Sequence, residues 1–317
     1  MITNYVMLAC PTCILSGTFV VLGFNIYAQN MGILLQSILG LLTSFFSFFY
    51  FKDVYRNRKS LSDKSYPGLL GIGFITNFID TLGIGSFAQQ TALFKFFKLV
   101  DDRLIPGTMN VGNTIPTVVQ AFIFMTSVHV DPVTLISVSA AAPVGAVLGA
   151  GIVSRMPRQK IQQGMGIGLF VVALIILSGL LNWLPLGGEA IGLSGWKLAL
   201  IIAMSFIFGA LQTIGVGFYA PCMAMVYGLG MNPLTAFPIM MTATAMLMVA
   251  GSTRFIKENA YDRKTAFALT VAGIAGVFLA AYVVKSLPLV TLKWIVCVVV
   301  FYTSLMMLRS AQVGKSR

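Results

Sequence analysis

The sequence predicts an all-α polytopic membrane protein made of two inverted repeats. Each repeat is a re-entrant or broken helical hairpin followed by three spanning helices, and two extra helices precede them. Three observations lead to this fold class: the composition, the spacing of the apolar runs, and one short stretch that occurs twice. Of the 317 residues, 57% are hydrophobic and 9% are charged, and the mean hydropathy is +0.89. A water-soluble protein of this length could not bury so much apolar surface.

The charge distribution is typical of a membrane protein rather than of a nucleic-acid-binding one. There are 21 Lys and Arg residues against 9 Asp and Glu, and the basic residues lie in the short gaps between apolar runs. Such gaps report membrane topology and contact with anionic lipid headgroups. We therefore expect the lipid bilayer as a partner and no nucleic acid, and a homodimer is left open.

The four cysteines indicate neither a disulfide framework nor a metal centre. Cys10, Cys13 and Cys297 lie inside or beside apolar runs, where a disulfide framework is not expected. Cys10 and Cys13 have the CxxC spacing of a redox or metal motif, but their segment offers no partner ligands. No metal and no cofactor is expected.

The N-terminal unit, residues 1–51, contains apolar runs at 5–27 and 31–51. Each has about the 20 residues that a helix needs to cross a hydrocarbon core of roughly 30 Å. The first four residues carry no positively charged side chain, so we expect the first run to remain as a helix rather than to be removed as a signal peptide.

The rest of the chain is an internal duplication. The stretch Asp80-Thr81-Leu82-Gly83-Ile84-Gly85 recurs 132 residues later as Gln212-Thr213-Ile214-Gly215-Val216-Gly217. The same offset carries Pro106 onto Pro238 without a gap. Repeats of this kind mark two related structural units. We place them at 67–183 and 197–309.

Each repeat begins with an apolar segment that two glycines interrupt, at 67–99 in the first and 197–228 in the second. Three plain spans follow in each repeat. They lie at about 104–126, 132–153 and 161–183 in the first, and at about 233–252, 264–284 and 289–309 in the second.

The basic residues favour broken segments that turn back within the membrane. If each segment crossed once, the cytoplasmic side would hold 13 of the 21 Lys and Arg residues; if each turned back, it would hold 18. The positive-inside rule favours the second topology. Each repeat then has an odd number of spans, so the repeats are inverted, as in alternating-access carriers. Both termini are then cytoplasmic in a cell inner membrane. Ten plain spans remain the alternative.

The glycine-broken segments are typical of a substrate site in a membrane transporter. A helix that is interrupted in the membrane leaves backbone groups without partners, so the break must face protein, water or substrate. Beyond the breaks, new half-helices begin at about Ser86 and Phe218. Their free N–H groups and positive dipole ends favour an anion.

Polar side chains and glycines around the breaks are the candidate substrate-binding residues. They are Asn77, Asp80, Thr81, Gly83, Gly85, Ser86, Gln89, Asn110, Asn113, Gln212, Thr213, Gly215, Gly217, Tyr219 and Thr242. Two structural interpretations stay open: a Ser or Thr hydroxyl can bond back to its own helix, and a glycine can serve close helix packing.

Asp80 is the one acidic or basic residue that this topology assigns to mid-membrane depth. A carboxylate there costs at least about 3 kcal/mol on insertion scales, and it would repel an anionic substrate unless it were protonated. One hypothesis makes Asp80 the proton-coupling group. The other makes it a structural carboxyl that caps the next half-helix.

The duplicated motif resembles the sulfite and sulfonate exporter family of TauE/SafE type, whose pattern is a Gly-rich turn, roughly G-x-G-G-G, followed by a V-P-x-L-like stretch. Gly215-Val216-Gly217 with Ala220-Pro221 is similar to this pattern, and so is Gly83-Ile84-Gly85-Ser86. The resemblance covers about residues 67–309. It implies a proton-linked carrier of small sulfur-containing or carboxylate anions in a bacterial inner membrane.

The sequence departs from the family pattern in several places. Ser86 and Phe218 stand where a third glycine would be, Gln89 stands where the second copy has Pro221, and residues 1–51 extend beyond the eight-segment core. The substrate therefore need not be sulfite itself.

Two other function classes compete with a carrier. Intramembrane proteases need two carboxylates or a Ser with a His, whereas Asp80 stands alone and His129 lies in a predicted loop. We therefore expect no enzyme. An anion channel is harder to separate from a carrier, because a pair of hairpins also suits a pore.

Overall fold

The computed structural model describes residues 11–58, 65–183, 188–283 and 289–313. Within these residues the protein is a bundle of eleven α-helices without a strand, which confirms the predicted all-α fold. The helices are α1 Pro11–Arg56, α2 Tyr66–Thr81, α3 Phe87–Phe96, α4 Ile105–Ser127, α5 Pro132–Val153, α6 Arg158–Leu180, α7 Gly195–Gln212, α8 Tyr219–Gly228, α9 Ala236–Lys257, α10 Arg263–Val283 and α11 Leu289–Val313.

Six segments among the described residues are long and apolar enough to cross a membrane, as a multi-pass membrane protein requires. They are Gly32–Arg56, Pro132–Val153, Arg158–Leu180, Gly195–Gln212, Ala236–Lys257 and Arg263–Tyr282. The predicted span at 132–153 coincides with α5. Asp131 fixes the start of that helix, because its carboxylate accepts a hydrogen bond from the backbone N–H of Thr134 at 2.8 Å in an N-cap arrangement.

The N-terminal region differs from the prediction of two spans at 5–27 and 31–51. Helix α1 runs without a break through residues 28–30 and continues to Arg56 as one helix of 46 residues. Ala28, Gln29 and Asn30 include no proline or glycine to end it. Residue 11 and Arg56 therefore lie at opposite ends of α1. The predicted cytoplasmic N-terminus depended on two antiparallel spans, and residues 1–10 lie outside the described residues.

The offset of 132 residues also relates the helices. It carries Phe87 and Phe96, the ends of α3, onto Tyr219 and Gly228, the ends of α8. Packing follows the same relation. Helix α2 packs against α10 as its counterpart α7 packs against α5, and α4 and α6 each pack against their own counterparts, α9 and α11.

Each glycine-broken segment is a hairpin. The Gln90 side chain on α3 donates from Nε2 to Thr76 Oγ1 on α2 at 2.8 Å, although a continuous helix would put these residues about 21 Å apart at 1.5 Å per residue. In the second repeat, the rings of Phe208 and Phe218 lie 6.1 Å apart, where a continuous helix would separate them by about 15 Å. Each of the two segments therefore folds back on itself at its glycine break.

Counterpart helices of the two repeats run antiparallel. Thr114 of α4 lies 3.0 Å from Ser252 of α9 between hydroxyl oxygens, and further along α4 the Phe124 ring stacks on Phe237, earlier in α9. Helices α6 and α11 behave in the same way: Ser304 Oγ donates to the carbonyl of Gly166 and Cys297 Sγ to the carbonyl of Ala173.

Ion pairs bring the basic loops together at one end of the bundle, which we call the basic end. Three pairs are formed: Arg263 with Asp53 at 2.7 Å, Arg155 with Glu258 at 2.8 Å, and Arg158 with Asp102 at 3.3 Å. Together these pairs join the loops that follow α1, α3, α5 and α9. A segment 67–99 that crossed once would instead have placed the loops after α1 and α3 at opposite ends.

Two acidic side chains at the basic end have pKa values that are lowered by their hydrogen-bond partners. The hydrogen bond from Arg155 lowers the pKa of Glu258. Burial of Asp102 would raise its pKa, but hydrogen bonds from Lys95 and Gln162 outweigh that effect and lower it. Both carboxylates therefore stay ionised at neutral pH and hold the loops.

Thiol accessibility tests this arrangement. In a variant without the native cysteines, Arg56→Cys and Arg103→Cys should react with a membrane-impermeant maleimide added to the same side, because α2 and α3 form a hairpin between them. Glu189→Cys should react only from the other side. Labelling of residues 56 and 103 from opposite sides of oriented vesicles would contradict the hairpin.

Candidate functional site

The two hairpin turns need glycine at four positions. Gly83, Gly85, Gly215 and Gly217 have φ angles of +83°, +87°, +100° and +82°, a region that other L-residues enter only with strain. Two of these glycines also allow close packing. A Cβ on Gly83 would lie 2.9 Å from the Phe237 ring, and one on Gly215 would lie 2.8 Å from the Met165 methyl carbon. Both structural roles of glycine therefore operate here.

The two turns lie against each other. A Cβ on Gly85 would be 4.0 Å from the Cβ of Tyr219, and a Cβ on Gly217 would be 3.7 Å from the Cβ of Phe87. Tyr219 and Phe87 are counterparts in the two repeats, so each turn contacts the start of the half-helix that follows the other turn. The polar groups of the two breaks therefore lie close together.

A cavity of about 30 Å³ lies between the turns. At 10–15 Å³ for each water, it has room for about two water molecules. Its lining comes from both turns and from α4, α6 and α9: Asp80, Ile84, Gly85, Ser86, Phe87, Ala88, Thr117, Val172, Gln212, Val216, Gly217, Phe218, Tyr219, Ala220, Thr244 and Met248. No lysine or arginine is among these residues.

The half-helices α3 and α8 begin at this cavity, as predicted. Their N-cap residues are Ser86 and Phe218, and neither side chain caps its helix. The first N–H groups of a helix have no partner within it, so the two starts present uncapped amides and two positive dipole ends to the same space. Two buried side-chain oxygens in the lining, Gln212 Oε1 and Thr244 Oγ1, also have no hydrogen-bond partner.

Asp80 is 4% exposed and is held by neutral hydrogen-bond donors. Gln120 of α4 donates from Nε2 to Asp80 Oδ2 at 2.8 Å and to Thr81 Oγ1 at 3.0 Å. On its other side, Gln120 Oε1 accepts from the Tyr219 hydroxyl at 2.8 Å. The hydroxyl and the amide of Ser86 also lie near the Asp80 carboxylate. One chain of hydrogen bonds therefore joins the two hairpins.

The structure brings some of the predicted site residues to the cavity and places others elsewhere. Six line it: Asp80, Gly85, Ser86, Gln212, Gly217 and Tyr219. The lining does not include Asn77, Thr81, Gly83, Gln89, Asn110, Asn113, Thr213, Gly215 or Thr242. Thr213 bonds back to the carbonyl of Ala210 at 2.6 Å, as the structural interpretation of a buried hydroxyl expects.

Asn113 clamps the first hairpin to α4. Its Oδ1 accepts from Asn77 Nδ2 and from Gln90 Nε2, each at 2.9 Å, and its Nδ2 donates to Gln90 Oε1 at 2.6 Å. These bonds use the side chain within the protein. Asn110, one turn earlier, is buried as well, but its Oδ1 has no partner.

Gln120 and Thr117 were not predicted from the sequence. Gln120 is fully buried and is the middle member of the hydrogen-bond chain from Asp80 to Tyr219. The duplication carried a signal for it, because the same offset places polar Ser252 at the corresponding position of α9. A search for polar residues shared by both repeats along all of α4, rather than only its first half, would have found it.

Asn113→Ala should lower the free energy of unfolding by about 2–3 kcal/mol, because it leaves one N–H of each buried amide, Asn77 and Gln90, and the Gln90 oxygen without the partner on α4. Asn110→Ala is the matched control and should cost less than about 1 kcal/mol, because its main donor bond, at 2.8 Å, is to its own helix. Thermal unfolding in detergent compares them. Equal losses in the two variants would refute the clamp.

A family model described as "Sulfite exporter TauE/SafE" matches residues 5–176 and 178–317. The match begins at residue 5, so the N-terminal helix is part of the matched region and not an addition outside it. No curated protein and no solved structure matches the chain. Because the family model covers nearly the whole chain, this protein belongs to the sulfite exporter TauE/SafE family.

Proposed function

We propose that this protein is a secondary transporter of small anions, namely sulfite, a sulfonate or a related organosulfur or carboxylate anion, in a cell inner membrane. The observation that carries the proposal is the pair of opposed glycine turns, Gly83–Gly85 and Gly215–Gly217, around one small cavity. Family membership makes sulfite the first anion to test.

The chemistry of the cavity supports an anionic guest. Amides at two helix starts and the hydroxyls of Thr117 and Thr244 supply hydrogen-bond donors, and helix N-termini attract negative charge. The cavity, with room for about two water molecules, is small for a three-oxygen anion. We therefore expect the turns to move apart when the anion binds.

The antiparallel course of α4 against α9 and of α6 against α11 supports inverted repeats. With the basic end on the cytoplasmic side, the hairpins enter the membrane from opposite faces and meet near its middle. Rocking one repeat against the other around this fixed site opens it to each side in turn. When one glycine turn at a time moves away from the site, the site becomes accessible from one side of the membrane and then from the other.

Asp80 supports proton linkage. Two unit charges 4 Å apart repel by about 4 kcal/mol at an effective dielectric constant of 20, so an ionised Asp80 and an anion exclude each other from one cavity. A proton on Asp80 removes that repulsion. The contacts of Asp80 with Ser86 also serve the structural interpretation, in which the carboxylate caps α3, and mutation separates the two.

Asp80→Asn should transport sulfite with only the pH dependence that the titration of sulfite itself imposes, because asparagine keeps the shape of the protonated acid and does not titrate. Counterflow of radiolabelled sulfite in proteoliposomes measures this between about pH 6 and about pH 8. Asp131→Asn, at the N-cap of α5 and away from the cavity, should keep the wild-type pH profile. Full pH dependence in Asp80→Asn would dispose of proton coupling at this residue.

The same counterflow assay tests transport itself. Sulfite waiting inside the vesicles should accelerate uptake in a carrier, whereas a channel shows no acceleration.

Gly85→Leu should insert into the membrane and lose uptake, because leucine cannot adopt the φ of +87° without strain and fills the space before Tyr219. Gly68→Leu is the control, since Gly68 lies on α2 and a Cβ added there would have nothing within 4 Å. Normal uptake by Gly85→Leu would place the site elsewhere.

A further inference from the structure

We propose that Gln120 is a two-position hydrogen-bond switch that makes the Tyr219 hydroxyl available to the anion only when Asp80 carries a proton. This inference rests on the transport function proposed above and names the residues that would link proton and anion. It starts from the position of Gln120, a fully buried side chain on α4 whose amide lies between the two hairpins.

The polarity of the Gln120 amide is fixed by its neighbours. Its Nε2 faces the first hairpin, at 2.8 Å from Asp80 Oδ2 and 3.0 Å from Thr81 Oγ1, and its Oε1 faces the second, at 2.8 Å from the Tyr219 hydroxyl. An ionised carboxylate only accepts hydrogen bonds. With Asp80 ionised, Nε2 must therefore point to Asp80 and Oε1 to Tyr219.

In this position the Tyr219 hydroxyl is unavailable as a donor. A phenol has one O–H, and that hydrogen is donated to Gln120 Oε1. What Tyr219 then turns to the cavity is an oxygen lone pair, which repels an anion. An ionised Asp80 thus disfavours the anion twice, directly by its charge and indirectly by withholding the Tyr219 donor.

Protonation of Asp80 permits the opposite position. A protonated carboxyl has an O–H to donate, so it can donate to Gln120 Oε1 if the amide turns by half a rotation. Nε2 then donates to the Tyr219 oxygen, and the Tyr219 O–H is released toward the cavity. One proton enters from water and stays on Asp80, and no other covalent bond changes. In the turned position Oε1 faces Thr81 Oγ1, so the Thr81 hydroxyl must turn its hydrogen from the Asn77 carbonyl to Gln120 Oε1.

Gln120 connects the charge of Asp80 to Tyr219, in addition to the direct interaction between the two side chains. The groups that face it are Ser86 at the start of α3, Gln120 of α4 and Tyr219 at the start of α8, of which Tyr219 alone is titratable. Helix α10 packs against α2 through glycines such as Gly276. The charged residues of α10, Arg263 and Lys264, lie at its first turn, at the basic end.

The switch belongs to one repeat pairing only. The counterparts of Asp80, Gln120 and Tyr219 at the offset of 132 residues are Gln212, Ser252 and Phe87, which cannot form the same chain. The two hairpins are therefore similar in backbone but different in chemistry. Together they give one proton site for one anion.

The test is sulfite counterflow in proteoliposomes at about pH 6 and about pH 8, reported as the ratio of the two rates, so that the titration of sulfite itself is common to all proteins. The withheld hydrogen bond to a charged group accounts for about tenfold of the wild-type ratio, and direct repulsion by Asp80 accounts for the rest. Gln120→Met, which keeps the length of the side chain, and Tyr219→Phe should each lower the ratio about tenfold from the wild-type value. The double variant should match either single variant, since all three break one chain.

Thr126→Val, on the exposed end of α4, is the control and should keep the wild-type ratio. A Gln120→Met protein that is slower at both pH values with an unchanged ratio would make Gln120 merely structural. If that variant does not fold, Tyr219→Phe carries the test, because it removes one oxygen without opening a hole, and an unchanged ratio there also overturns the switch. Wild-type protein without counterflow would reject the transport function, whereas wild-type counterflow with no pH dependence would reject only the proton link.

Discussion

When a helix is broken inside a bilayer, the amide groups that the break leaves without partners must be satisfied by protein, water or substrate. Here that constraint is met at Gly83–Gly85 and Gly215–Gly217, where positive φ angles turn the backbone and the two turns come into contact. The supporting features follow from it. Asn113 holds the first hairpin on α4, and small residues such as Gly145 and Gly276 let the outer helices approach the hairpin arms.

The two repeats share a backbone plan and differ in their side chains at the centre. Asp80 and Ser86 in the first repeat correspond to Gln212 and Phe218 in the second, and Phe87 corresponds to Tyr219. The two half-helix starts are therefore similar in backbone, but a carboxylate lies beside one of them and the other supplies a phenolic hydroxyl. The proposed transport uses both half-helix starts to bind the anion, while the proposed coupling to a proton needs only one carboxylate.

The backbone could be predicted further than the side chains. Apolar length predicted α5 at 132–153, and the glycine pairs with the charge count predicted hairpins whose half-helices start after Ser86 and Phe218. The division into spans at 5–27 and 31–51 was wrong because the three residues between them, Ala28, Gln29 and Asn30, do not end the helix. Polarity in an apolar run indicates a buried partner but not its direction. Asn113 therefore looked like a substrate ligand and proved to bind Gln90, while Gln120 was overlooked.

The most direct test is a crystal structure of the protein with selenite, which has the charge and shape of sulfite and whose selenium scatters anomalously. We predict an anomalous peak between the two turns, within hydrogen-bond distance of the backbone amides that follow Ser86 and Phe218. A peak among the arginines of the basic end instead, with none between the turns, would contradict it.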